Sequence, residues 1–150
     1  MSRMVSRQRG YAHRTDIVAS VQAVWDALTD TASLARWCSP DARIRAKPGG
    51  LFCATVDRVT QLEAHIDVYE PARRLRLIYL PCEALPAEDS AVTDDFMLAS
   101  VPRGTIVRLL GSGFTDSEGG ELQFRRMRMG WERALARLKV HVEQLEKKGS

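Results

Sequence analysis

The chain has 150 residues, 45% of them hydrophobic and 27% charged, which fits one globular domain able to bury a core without disulfide staples. A formal net charge of +3 is mild and its basic residues are dispersed, so no nucleic-acid patch is expected, and no apolar run reaches the roughly eighteen residues of a membrane span. Arg3, Arg7 and Arg9 lack a following apolar segment, which argues against a secretory signal and leaves the cytoplasm as the expected location.

Met1 to Gly10 is arginine-rich and aperiodic, and is expected to be a disordered arm preceding a single domain over residues 11–148. Tyr11 to Val18 reads as a first strand. Ser20 is a candidate N-cap for a short helix, Val21 to Leu28, and Asp30 or Thr31 for a second that runs to about Trp37 before Pro40.

From Asp41 the helical period gives way to alternation. Ala42 to Ala46 leads through Lys47, Pro48, Gly49 and Gly50, a turn signal, into Leu51 to Val56. Leu62, Ala64, Ile66 and Val68 alternate with Glu63, His65 and Asp67, predicting that the first set faces a core and the second faces water. Leu75, Leu77 and Tyr79 continue the inward set beyond a turn at Glu70 to Ala72, with Arg74 and Arg76 outward. Pro81 to Ser90 reads as an acidic loop. Phe96 and Leu98 mark another strand, and Thr105 to Phe114 a last one with Val107 and Leu109 inward and Arg108 outward.

Asp116 to Gly120 reads as a loop into the longest element. Phe124, Met127, Trp131, Leu135, Leu138, Val142 and Leu145 recur at steps of three and four, predicting an amphipathic helix from about Glu121 to Lys147, with Gly149 as a stop. One apolar stripe and one apolar sheet face satisfy each other when the sheet curls around the helix, which makes the fold α+β.

These residues resemble the START-like, or Bet v 1-like, helix-grip superfamily (SRPBCC), and within it the family related to the C-terminal domain of the activator of Hsp90 ATPase. The resemblance is carried by Val24-Trp25-Asp26-Ala27-Leu28-Thr29-Asp30, Leu34-Ala35-Arg36-Trp37, Pro48-Gly49-Gly50-Leu51-Phe52, Tyr69-Glu70-Pro71 with Arg74-Leu75, Arg103-Gly104-Thr105, and Gly130-Trp131 with Leu135 and Leu138. It implies a curved seven-stranded antiparallel sheet wrapped around the C-terminal helix, two short helices between strands 1 and 2, and an apolar cavity between sheet and helix.

Gly130 precedes the stripe's tryptophan, and a glycine inside a helix costs about 1 kcal/mol relative to alanine, so a compensating role is expected there. Candidate ligand-binding walls are Trp131, Met127 and Leu135 on the helix, and Phe52, Ala64, Tyr79 and Phe96 on the sheet. Trp37 joins them by resemblance to the family's tryptophan near the cavity mouth, whereas Trp25 is read as core. Arg128 lies about 60° off the stripe, within reach of a cavity but better placed to snorkel to water. His65 and Asp67 form a general-base pair only on paper, since both fall on the outer parity. Cys53 reads as a small buried filler.

Cys38, Cys53 and Cys82, with His13, His65 and His141, show no metal-ligand spacing, no phosphate loop or nucleophile motif is present, and no cofactor is expected. Three readings stay open. The first is binding of a small hydrophobic or amphipathic ligand in the cavity. The others are a cofactor-free enzyme of the polyketide cyclase or aromatase kind, and a protein-interaction domain, including chaperone regulation, with a homodimer as one form of partner.

Overall fold

The computed structural model describes residues 8–56, 58, 60–81, 92–115 and 117–149. The chain runs β1 (Gln8–Ile17), α1 (Val21–Thr29), α2 (Thr31–Trp37), β2 (Arg43–Ile44), β3 (Leu51–Val56), β4 (Thr60–Glu70), β5 (Arg74–Tyr79), β6 (Thr93–Val101), β7 (Gly104–Thr115) and α3 (Glu118–Gly149). All seven strands form one antiparallel sheet in the order β1-β7-β6-β5-β4-β3-β2. The core lies between the inner face of that sheet and the helices, giving the α+β helix-grip architecture that the periodicities require.

Local chemistry sets the helix starts. Ser20 Oγ accepts from the Ala23 N–H at 3.1 Å, and Asp30 Oδ2 accepts from the Ser33 N–H at 3.0 Å, so each short helix has a side-chain cap. Trp37 Nε1 donates to the Ala27 carbonyl at 2.8 Å and ties α2 back to α1. α3 begins at Glu118, earlier than the sequence reading, because Ser117 caps it: its Oγ accepts from the Gly120 N–H at 3.1 Å and its carbonyl from the Glu121 N–H at 2.8 Å. The paired glycines that read as loop lie in its first turn. Farther along, Glu143 accepts from Lys139 at 2.8 Å and from the Val18 N–H at 2.9 Å, fixing the C-terminal half of α3 to the exit of β1.

Leu62, Ala64, Ile66, Leu75, Leu77, Tyr79, Val107 and Leu109 are buried on the inner face, as alternation predicts. Val68 is a correction. Ile66 pairs with Leu77 and Val68 with Arg76, so Asp67 is a bulge residue and parity inverts beyond it. Val68 moves to the Arg76 side, while Tyr69 turns inward against Trp25, ring centroids 5.4 Å apart. Asp67 stays exposed, 3.5 Å from Arg76, and His65 remains on the outer face beside Leu51 and Ile78, so the paired acid/base reading does not return.

Other boundaries shift by a few residues. β1 starts at Gln8 rather than Tyr11, and the rest of the predicted arm, residues 1–7, lies outside the described residues, as does most of the acidic loop with Cys82. The predicted strand from Ala42 shortens to Arg43–Ile44. Leu145, assigned to the buried stripe, is 51% exposed, because α3 outruns the sheet in its last turns.

Candidate functional site

Eight of the nine residues expected as walls are buried in the core. Phe52 pairs with Ala64 and Ala64 with Tyr79, so the three form a row across β3, β4 and β5. Met127, Trp131 and Leu135, at four-residue steps on α3, cover that face, and Phe96 meets Trp131 edge-on with centroids 5.3 Å apart. Trp37, the last residue of α2, is buried. All eight belong to the contiguous core. Arg128 stands apart, exposed, its guanidinium 5.9 Å from the Phe124 ring centroid. Its carbonyl oxygen accepts from His13 Nε2 at 2.9 Å, which fixes that nitrogen as the protonated one.

The centre of this region is a carboxyl that the sequence reading passed over. Asp94 is fully buried, its Oδ1 accepting from Tyr11 Oη at 2.5 Å and its Oδ2 from Tyr79 Oη at 2.7 Å. Burial is the largest influence and pushes the Asp94 carboxyl up to about 7; the Tyr11 and Tyr79 hydroxyls and the neighbouring Trp131 indole pull it back, and adjacent Asp95 raises it. Both tyrosines are raised in turn, by burial first and by the Asp94 charge second. Among the described residues Trp131 Nε1 completes no hydrogen bond, although it faces these oxygens closely enough to influence them. A carboxyl that changes protonation near neutrality can give or take a proton under physiological conditions, and such groups concentrate at functional sites.

Gly111 makes this cluster geometrically possible. Tyr11 lies on β1 and Asp94 on β6, with β7 between them, and both are cross-strand partners of Gly111. A Cβ at position 111 would overlap the Tyr11 ring. Without one, the phenol lies flat over the backbone of β7 and its hydroxyl reaches the carboxylate two strands away. The sequence signal was present: Asp94 shares parity with Phe96 and Leu98 and therefore points inward.

Open space lies one layer outward. A groove of about 600 Å³ runs between α2, the loop after it, the β3–β4 turn and α3, lined by Ala35, Arg36, Cys38, Ser39, Pro40, Asp41, Thr55, Arg58, Gly130, Arg133, Ala134 and Arg137. Gly130 and Ala134 immediately precede Trp131 and Leu135 on α3, so the groove and the row of wall residues share a helix but not a face. The glycine before Trp131 thus lines the groove. Cys38 separates the two regions: it lines the groove, and its charge when ionised would act on Tyr79. Burial pushes its thiol up to about 12, which leaves it protonated and unreactive at neutral pH. Arg137 spans the gap, donating from Nε to the Trp37 carbonyl at 2.8 Å and from Nη2 to the Cys38 carbonyl at 3.2 Å, so a cation caps the C-terminal end of α2.

The family model for activator of Hsp90 ATPase homolog 1-like proteins matches residues 18–143. The chain belongs to that family. Among solved structures, protein MLL2253 from Mesorhizobium loti is 20% identical with a TM-score of 0.76, over 91% of this chain and 98% of that one. The Aha1 dimer from Colwellia psychrerythraea is 19% identical with a TM-score of 0.70, over 90% and 96%. CalU16 from Micromonospora echinospora is 24% identical with a TM-score of 0.64, over 91% and 74%. At these identities the likeness is one of fold. No curated protein matches the sequence. Within this family frame, no group of three or more metal-ligating side chains comes together and no helix is long and apolar enough to cross a membrane, among the described residues.

Proposed function

We propose that the protein binds a small hydrophobic or amphipathic molecule between its sheet and its C-terminal helix, with the α2–α3 groove as the way in. The groove carries the proposal: its volume of about 600 Å³ falls within the range of roughly 300–1,000 Å³ usual for small-molecule sites. We take its small lining residues Cys38, Gly130 and Ala134 as the partition toward the core, since Gly130 precedes Trp131 on α3 and Cys38 lies close enough to Tyr79 to act on its charge. A ligand that displaces this partition would meet apolar walls from Phe52, Ala64, Phe96, Met127 and Leu135, and a polar centre at Asp94. Native mass spectrometry of the protein as purified tests the reading. A retained adduct of a few hundred daltons, released by organic solvent, supports it. A bare protein that also takes up no apolar probe rejects it.

A cofactor-free enzyme is the second reading, favoured by one observation, the Asp94 carboxyl held near neutrality between two tyrosine hydroxyls. It requires that a captured ligand be returned chemically altered by the native protein and unaltered by Asp94→Asn. Unaltered recovery from both leaves binding alone.

A further inference from the structure

We infer that the groove selects an anion, and that its occupant is an amphipathic molecule whose carboxylate or phosphate-type headgroup sits among the arginines with its tail toward α3. The inference rests on the ligand-binding reading above and names the class of ligand.

Four guanidinium groups line the groove, Arg36 from α2, Arg58 from the β3–β4 turn, and Arg133 and Arg137 from α3, against a single carboxylate, Asp41. That carboxylate is already satisfied. Its Oδ1 accepts from Ser39 Oγ at 2.8 Å and its Oδ2 from Thr55 Oγ at 2.7 Å, and these bonds hold it below the usual carboxylate range. It is therefore a structural clamp between the α2–β2 loop and β3. Among the described residues Arg36, Arg58 and Arg133 form no ion pair, and Arg137 spends Nε and Nη2 on backbone carbonyls, leaving Nη1 for another acceptor.

Three elements distant in sequence thus direct an excess of positive charge into one concavity, where low-dielectric walls focus the field. Arg58 holds its place at φ 73, a left-handed conformation uncommon for a side chain of its kind. Guanidinium groups match the planar geometry of carboxylate and phosphate oxygens and bind them through paired N–H donors. The floor explains the tail. Ala35, Cys38, Gly130 and Ala134 offer apolar surface that a free inorganic ion would not use.

Isothermal titration of the full chain with decanoate, decyl phosphate, decan-1-ol and inorganic phosphate tests the inference. The two amphipathic anions should bind about tenfold or more tightly than the alcohol, and the margin should shrink as salt rises. Their relative affinities separate a carboxylate from a phosphate preference. Arg58→Gln and Arg133→Gln, both at exposed positions, should each weaken the anions about fivefold and leave the alcohol unchanged. Equal binding of alcohol and anions, or anion binding indifferent to both substitutions, overturns the anion inference while the binding reading survives. Inorganic phosphate matching decyl phosphate overturns the amphipathic part. Binding of none of the four overturns both readings.

Discussion

Replacing Asp94 with asparagine removes the carboxyl that titrates near neutrality at the centre of the core, while keeping an oxygen for one tyrosine hydroxyl and turning an amide N–H toward the other, whose oxygen can accept. In the native protein the carboxyl titrates at about 7 when folded, against an ordinary value of 3.8. Between those values the folded chain holds one proton more than the unfolded chain, so stability falls as pH rises. The contribution of protonated Asp94 is fully present below 3.8 and is lost as pH climbs through about 7. Each pH unit inside that interval removes about 1.4 kcal/mol. Integrated from pH 5 to pH 8, Asp94 accounts for a loss of about 2 to 3 kcal/mol in the native protein and none in Asp94→Asn. Urea unfolding of both proteins at the two pH values measures the difference directly, and effects of Asp16, Asp41, Glu143 and His141, common to both, cancel. Parallel pH profiles, agreeing within about 0.5 kcal/mol, would refute the buried-carboxyl account.

Three further outcomes follow from the same geometry. Gly111→Ala forces the Tyr11 ring off β7 and strips Asp94 of its shortest hydrogen bond, so it should cost about 3 kcal/mol in urea unfolding, far more than an alanine in an ordinary strand. Tyr11→Phe removes a bond that lowers the Asp94 pKa, so the carboxyl resonance of Asp94 should titrate at a higher pH than in the native protein. Leu135→Phe inserts volume among residues that are already fully buried and should destabilise by about 1 to 3 kcal/mol, whereas a stability-neutral result would reveal unfilled space beside Trp131.

Much of the fold is written in local periodicity. The stripe from Phe124 to Val142 fixes which face of α3 is buried, and the alternation in β3, β4 and β5 places Phe52, Ala64 and Tyr79 in one row once the strands pair. Val68 escaped because a bulge is a property of the pairing of two strands, and nothing in the residues around Asp67 distinguishes a bulge from continuous alternation. The start of α3 escaped because two adjacent glycines read locally as loop, whereas the Ser117 cap that admits them to the first turn is seen in the folded chain.

The site was legible in part. The burial of the residues expected as its walls follows from parity, but the Tyr11–Asp94 bond joins residues 83 positions apart and depends on the missing side chain of a third strand. The groove likewise brings together residues far apart in the chain, Arg137 on α3 being tied to the Trp37 and Cys38 carbonyls about a hundred positions earlier. Inward parity could have flagged Asp94. It could not have supplied the partners that lift or lower its pKa.

The central claim, a ligand entering through the α2–α3 groove, is met most directly by following backbone amide resonances of the protein during titration with decanoate. The account predicts saturable shifts at Cys38, Ser39, Thr55, Gly130 and Ala134, extending to Tyr79 and Trp131 as the partition yields. Shifts confined to other surfaces, or none at saturating decanoate, would contradict it.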